Sequence, residues 1–209
     1  MKALTETILE KINADIFSHA ALTACVPGSA ARRYSLLKRA MASGDVVQIR
    51  RGLYCLAQKY RRRPLDLFEA AQKIYGPSYI SFESALSYHG WIPEAVRSVT
   101  SASFGKAKEF SSEVGVFSFR RVPVNIFFEG VERLPNGVLI ARPFKALLDY
   151  IYIYKKDWIG IEPVIKSLRV DSDLLGKVSR AEIRKHMSNY SQKRVLGFLM
   201  SLEKMNHEH

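Results

Sequence analysis

The sequence predicts an α+β protein in two parts. Apolar residues recur at helical spacing through residue 43, short β-prone runs punctuated by Gly fill 98–141, and helical spacing returns from Pro143 onward. Helices, then strands, then helices is not the alternation of a doubly wound sheet. The chain has 209 residues, 47% of them apolar and 11% aromatic, which suits a sizeable core in one large or two small domains. No stretch reaches the roughly 18 uninterrupted apolar residues that a membrane span needs. Residues 1–20 carry charges throughout where a signal peptide would have an apolar block, so a soluble, cytoplasmic protein without a membrane partner is expected. Cys25 and Cys55 are the only cysteines and form no CxxC pair. Neither a disulfide framework nor a Cys-rich metal site is expected, and both read as small core residues.

The first elements follow from spacing and end signals. Leu4, Ile8, Leu9 and Ile12 predict a helix over 2–13, and a short second helix over 19–26 is stopped by Pro27-Gly28. Ser29 is the expected N-cap of a third helix that runs to Ser43 and stops at Gly44. At about 100° per residue, Ala30, Tyr34, Leu37 and Met41 fall within an arc of about 60°, the expected packing face. Arg32, Ser35 and Arg39 fall opposite, and Leu36 sits awkwardly near them. Arg32 and Arg33 occupy the first turns, where the helix dipole favours Asp or Glu and where a phosphate would fit. Val46–Ile49 and Leu53–Leu56, joined through Arg50-Arg51-Gly52, read as a hairpin.

Charge is concentrated in the same region. The chain carries 32 Lys+Arg against 20 Asp+Glu, a formal charge of +12. Residues 1–63 hold twelve basic and four acidic residues. Between Ser29 and Arg63 stand ten basic residues and one acid, Asp45. So much charge of one sign repels itself unless a polyanion neutralises it, which makes nucleic acid the leading partner. Three helices followed by a basic-tipped hairpin is the order of a winged helix-turn-helix, whose third helix enters the major groove while the wing follows the backbone. The expected DNA-binding residues are Ser29, Arg32, Arg33, Ser35 and Arg39 on the helix, Arg50 and Arg51 on the wing, and Arg61, Arg62 and Arg63 as a sequence-blind contact. A three-helix unit with a hairpin is also a common small fold, in which such residues would only solvate the surface. Residues 1–60 form the expected binding domain, Lys59–Pro64 the linker, and 64–209 the second domain.

In that second part, Pro64, Leu65, Leu67, Phe68, Ala71 and Ile74 predict a helix stopped by Gly76-Pro77. Ser81 is the expected cap of a helix that ends at His89-Gly90. Strands are expected at 98–102, 116–122, 126–128 and 137–141, then helices from Pro143 through Ile151, near 162–168, and over 179–187 and 192–203. The apolar run 147–154 reads as core. Ser81, Glu83 and His89 do not make a triad: six residues separate Glu83 from His89 on one helix, and no Gly-x-Ser-x-Gly elbow is present. The other histidines lack HExxH spacing, and no GxxxxGK[ST] or GxGxxG loop occurs. No catalytic residue, metal site or cofactor is therefore expected, and the protein does not read as an enzyme.

Five stretches carry a resemblance. Val47–Tyr54 (VQIRRGLY) with Tyr79–Glu94 (YISFESALSYHGWIPE), then Val99-Thr100-Ser101 with Phe117–Arg120, then Ala141–Asp149 (ARPFKALLD) resemble the AbiEi family over about residues 30–155. The last block is similar to that family's Ala-x-Pro-Glu-Lys-Ala-x-x-Asp stretch, with Phe144 where an acid is usual. Phe82 replaces a Leu in the second. The resemblance implies a winged-helix domain that represses its own operon and a C-terminal antitoxin domain in a type IV, abortive-infection toxin-antitoxin system. The implied partners are double-stranded DNA of the protein's own promoter, with inverted repeats expected, and a nucleotidyltransferase-like toxin that need not be bound directly. Oligomeric state stays open, since a dimer on paired half-sites and monomers on adjacent repeats both suit the chain. A regulator of the same architecture whose C-terminal domain senses a ligand or a protein partner, without antitoxin activity, is the alternative.

Overall fold

The computed structural model describes residues 2–61, 63–123, 125, 127–154 and 158–207, the side chains of Lys2 and Ala3 excepted. The protein is mixed α+β, with ten α-helices and two sheets among these residues. It divides into two compact units, one comprising residues 1–74 with 110–116, the other 75–109 with 117–209. Among the described residues no helix is long and apolar enough to cross a membrane.

In the first unit, α1 (Lys2–Thr7) continues into a π-type turn (Ile8–Ile12) closed by left-handed Asn13. There follow β1 (Ile16–Ser18), α2 (His19–Cys25), α3 (Ala30–Ala42), β2 (Val46–Arg50), β3 (Leu53–Leu56), a 3-10 turn (Gln58–Tyr60) and α4 (Leu67–Ile74). Side-chain caps set the helix starts. Ser18 Oγ accepts from Ala21 N at 3.1 Å and Ser29 Oγ from Arg32 N at 3.2 Å. Asp66 Oδ1 accepts from Phe68 N and Glu69 N at 2.9 and 3.1 Å. Helix α4 therefore starts after Asp66, and Pro64 stands outside it. The three strands pair antiparallel in the order β1-β3-β2, with Phe17 opposite Tyr54 and a bulge that sets Arg50 against Leu53. Gly52, at φ +79°, supplies the left-handed residue that reverses the chain after Arg50 and Arg51.

The core of this unit is Leu4, Ile8, Phe17, Leu22, Val26, Leu37, Ala40, Val46, Tyr54 and Leu56, with Ile12, Leu36, Met41 and Tyr60 packed on its margin. This corrects the expected face of α3. Leu36 packs inward, whereas Ala30 is exposed and Tyr34 is 62% exposed. The buried arc is centred near Leu37, Ala40 and Leu36, a rotation of about 80° from the expected one at 100° per residue. The first unit also runs on through α4 to Ile74, one helix beyond the Lys59–Pro64 stretch read as the linker. Ala70, Ala71 and Ile74 are the buried residues that hold α4 in place.

After α4 come β4 (Ser78–Ile80), α5 (Phe82–Tyr88), β5 (Ser98–Ser103), β6 (Lys108–Ser112), β7 (Gly115–Arg121), β8 (Val131–Arg133) and β9 (Leu139–Ala141), all in the second unit except for residues 110–116 of β6, β7 and their turn, which belong to the first. Then come α6 (Pro143–Tyr154), α7 (Glu162–Leu168), α8 (Ser172–Gly176), α9 (Arg180–Asn189) and α10 (Lys193–Met205). The strands form one sheet in the order β6-β7-β5-β4-β9-β8; β4 runs antiparallel to β5 and parallel to β9. The strand expected at 126–128 is not formed: Phe127 and Phe128 lie in a turn, and Ile126 is outside the described residues. Phe127 packs edge-on to Tyr79, Phe104 and Phe128, so its aromatic character serves packing and not a ladder. Helix α6 buries every residue from Phe144 to Ile151, as a helix covered on all sides must.

Candidate nucleic-acid interface

The expected DNA-binding residues separate into three groups. Arg32 and Arg39 are exposed on α3, and Arg50 and Arg51 are exposed at the β2–β3 turn. Met41 and Gly44, at the end of α3, line one groove of about 550 Å³ with Val46–Arg51 and with Ser111, Ser112 and Glu113 of the same unit. The end of α3 and the hairpin are thus neighbours on one surface. Near the helix start the side chains fold back on the chain. Arg32 Nη1 donates to Pro27 O at 3.5 Å, Arg33 donates to Gly28 O, and Ser29 spends its hydroxyl on the cap. Arg39 Nε donates to Ser35 O at 3.3 Å, and Arg50 Nη1 to Arg51 O at 3.4 Å. Arg33 is half-buried, and only its outer edge is available to a ligand.

Arg61 and Arg63 do not join this surface as expected. Arg61 turns inward and buries Nε and Nη1, and its charge opposes the burial that pushes the Cys55 thiol pKa up. Arg63 is exposed but lines a different cleft, with Leu9, Asn13, Asp15, Tyr60 and Glu69. Arg62 lies outside the described residues.

Carboxylate pairing decides which cations remain available. The one acid of the 29–63 segment, Asp45, is bound by Lys59 Nζ at 2.6 Å, by Ser43 Oγ at 2.7 Å and by Tyr60 Oη at 2.8 Å. Those donors, Lys59 first, hold its carboxyl well below the usual carboxylate range. Asp45 therefore ties the end of α3 to the turn after β3 and neutralises Lys59. Among the described residues no carboxylate pairs with Arg32, Arg33, Lys38, Arg39, Arg50 or Arg51. The units carry similar net charge: thirteen basic and seven acidic residues in the first, nineteen and thirteen in the second. Their pairing differs. Seven ion pairs among the described residues lie in the second unit and two in the first. Tyr34 and Lys38 are also exposed on α3; Tyr34 belongs to the expected packing face, and Lys38 to neither expected arc.

A second polar constellation lies inside the other unit. Lys145 and Asp149, one turn apart on α6, are 1% and 0% exposed and pair at 2.7 Å. Asp149 Oδ2 also accepts from Tyr79 Oη and Ser81 Oγ, each at 2.8 Å, and Lys145 Nζ lies 3.4 Å from Tyr190 Oη. Burial, with Asp149 adding to it, pushes the Tyr79 and Tyr190 hydroxyl pKa values well up. Ser81 thus makes no side-chain cap to α5, contrary to expectation, and His89 donates from Nε2 to Ala141 O at 3.0 Å. Nearby His186 stacks edge-on with Phe144, and burial lowers its pKa to about 4. Every charge in the network is paired inside the protein, which suits a structural clamp between β4 and α6.

Compared with known protein families and with curated proteins, the chain finds no match.

Proposed function

We propose that this protein is a DNA-binding repressor of its own operon and the antitoxin of a type IV, AbiE-like toxin-antitoxin system, with a winged helix-turn-helix as its first unit. The observation that carries the DNA-binding part is the set of exposed cations on α3 and the β2–β3 turn that no carboxylate among the described residues neutralises. The element order helix, strand, helix, helix, strand, strand, with β1 returning to pair with β3, supports the winged-helix reading. In that arrangement α3 lies in the major groove and Arg50 and Arg51 grip the backbone. The antitoxin part rests on the AbiEi-like blocks. The convergence of Tyr79 and Ser81 from one block with Lys145 and Asp149 from another supports reading those motifs as one framework. The expected functional partner is a nucleotidyltransferase-like toxin.

The test is a gel shift with the protein's upstream DNA against a scrambled duplex over a salt series. With about five phosphates neutralised by Arg32, Arg33, Arg39, Arg50 and Arg51, log affinity falls against log salt with a slope of about −4 to −5. A slope near zero, or equal affinity for both duplexes, rejects the repressor reading. Co-expression with the product of an adjoining nucleotidyltransferase-like gene tests the antitoxin part: growth is restored by the full chain, and failure to restore it leaves only a regulator.

A further inference from the structure

We propose that Tyr34 and Lys38 are the base-reading pair of α3, Tyr34 against a thymine methyl group and Lys38 on the acceptor edge of a guanine. This rests on the reading of α3 as a helix that enters the major groove. The three α3 arginines expected at the DNA are tethered: Arg32 to Pro27 O, Arg33 to Gly28 O and Arg39 to Ser35 O. Tyr34 and Lys38 stand one turn apart on the exposed face. Neither side chain makes a hydrogen bond, ion pair or ring contact among the described residues, and Tyr34 is 62% exposed. Leaving a Tyr ring in water while Leu36 and Leu37 of the same helix pack inward wastes apolar area unless a partner covers it. In the major groove the apolar partner is the thymine C5-methyl, and a Lys ammonium finds its acceptors at guanine O6 and N7. Four residues of helix rise about 6 Å, close to two base-pair steps of about 3.4 Å. The thymine and the guanine should accordingly stand one or two base pairs apart.

The test selects binding sites for the full chain from duplexes with a randomised centre, then exchanges single atoms in the selected site. Replacing the contacted thymine by deoxyuridine removes only the methyl group. Wild type should lose roughly fourfold in affinity, the worth of burying one methyl. Tyr34→Ala should show no further loss on the deoxyuridine site, whereas Tyr34→Phe, which keeps the ring, should remain sensitive. The salt slope should stay unchanged in Tyr34→Ala, since no phosphate contact is lost. Lys38→Ala should in the same way abolish sensitivity to 7-deazaguanine at the paired guanine. Additive losses in either cycle, or an unchanged selected site in Tyr34→Ala, overturn the assignment. If wild type retains duplex but enriches no sequence, DNA binding stands and this inference falls. If it retains no duplex above single strand, both fall together.

Discussion

The Lys145–Asp149 pair shows why a charged residue inside a helix interior carries structural weight. A buried ion pair gains little over well-packed apolar residues, but removing one partner strands the other charge. Asp149→Ala should therefore destabilise the protein by about 3–5 kcal/mol in urea unfolding, while Lys145→Met with Asp149→Leu should cost clearly less than Asp149→Ala alone. Equal losses would show that the pair is not an isolated unit. His186 gives a separate pH signature. Burial holds its pKa at about 4, below the usual value near 6.5, although Glu129 and Asp149 pull it up while Lys145 and Lys185 add to the lowering. The unfolded chain gains a proton below pH 6.5 that native His186 refuses until about pH 4, so stability present above 6.5 is lost as pH falls. Between pH 6.5 and 5 that loss is on the order of 1–2 kcal/mol. His186→Phe, which keeps an aromatic ring beside Phe144 and Tyr190, should flatten the difference over this window; an unchanged pH profile would assign the acid sensitivity elsewhere.

Helix α3 was legible in its ends and not in its rotation. Ser29 and Gly44 mark where it starts and stops because capping is a local interaction of the backbone with the next few residues. Which face packs is decided by the elements it meets. Tyr is compatible with either side, and Leu36 found its core in α1, α2 and the sheet. Strand β1 was invisible for a related reason: three residues between two helices have no period, and only their pairing with β3 makes them a strand. Ser81 failed as a cap because Asp149, 68 positions away, offered its hydroxyl a buried acceptor. The cation cluster was readable as composition, yet the burial of Arg61 Nε and Nη1 and the capture of Asp45 by Lys59 depend on contacts that composition does not contain. The local part of α3 remains testable on its own terms. Ser29→Ala leaves Arg32 N without its acceptor and should cost about 1 kcal/mol in thermal unfolding, with only a minor change in DNA affinity. A large affinity loss at unchanged stability would instead give the Ser29 hydroxyl a direct phosphate contact.

For the molecule as a whole, the net charge of +12 is a poor guide to where a polyanion would bind, because both units carry a similar surplus. What distinguishes them is that the second unit pairs many of its cations with carboxylates, whereas those of α3 and the β2–β3 turn are left to solvent. An electrostatic contact that releases counterions is set by cations placed against phosphates, and a distant charge is screened within about 10 Å at ordinary ionic strength. Two double variants separate placement from total charge. Arg50→Ala with Arg51→Ala lowers the net charge by two, and so does Lys177→Ala with Lys193→Ala, two exposed lysines of the second unit. The first pair should reduce the steepness of the salt dependence by about 2 and weaken operator and random duplexes alike. The second should leave the slope within error of wild type. If both pairs shift it equally, binding follows the overall charge of the chain and not the surface built by α3 and its hairpin.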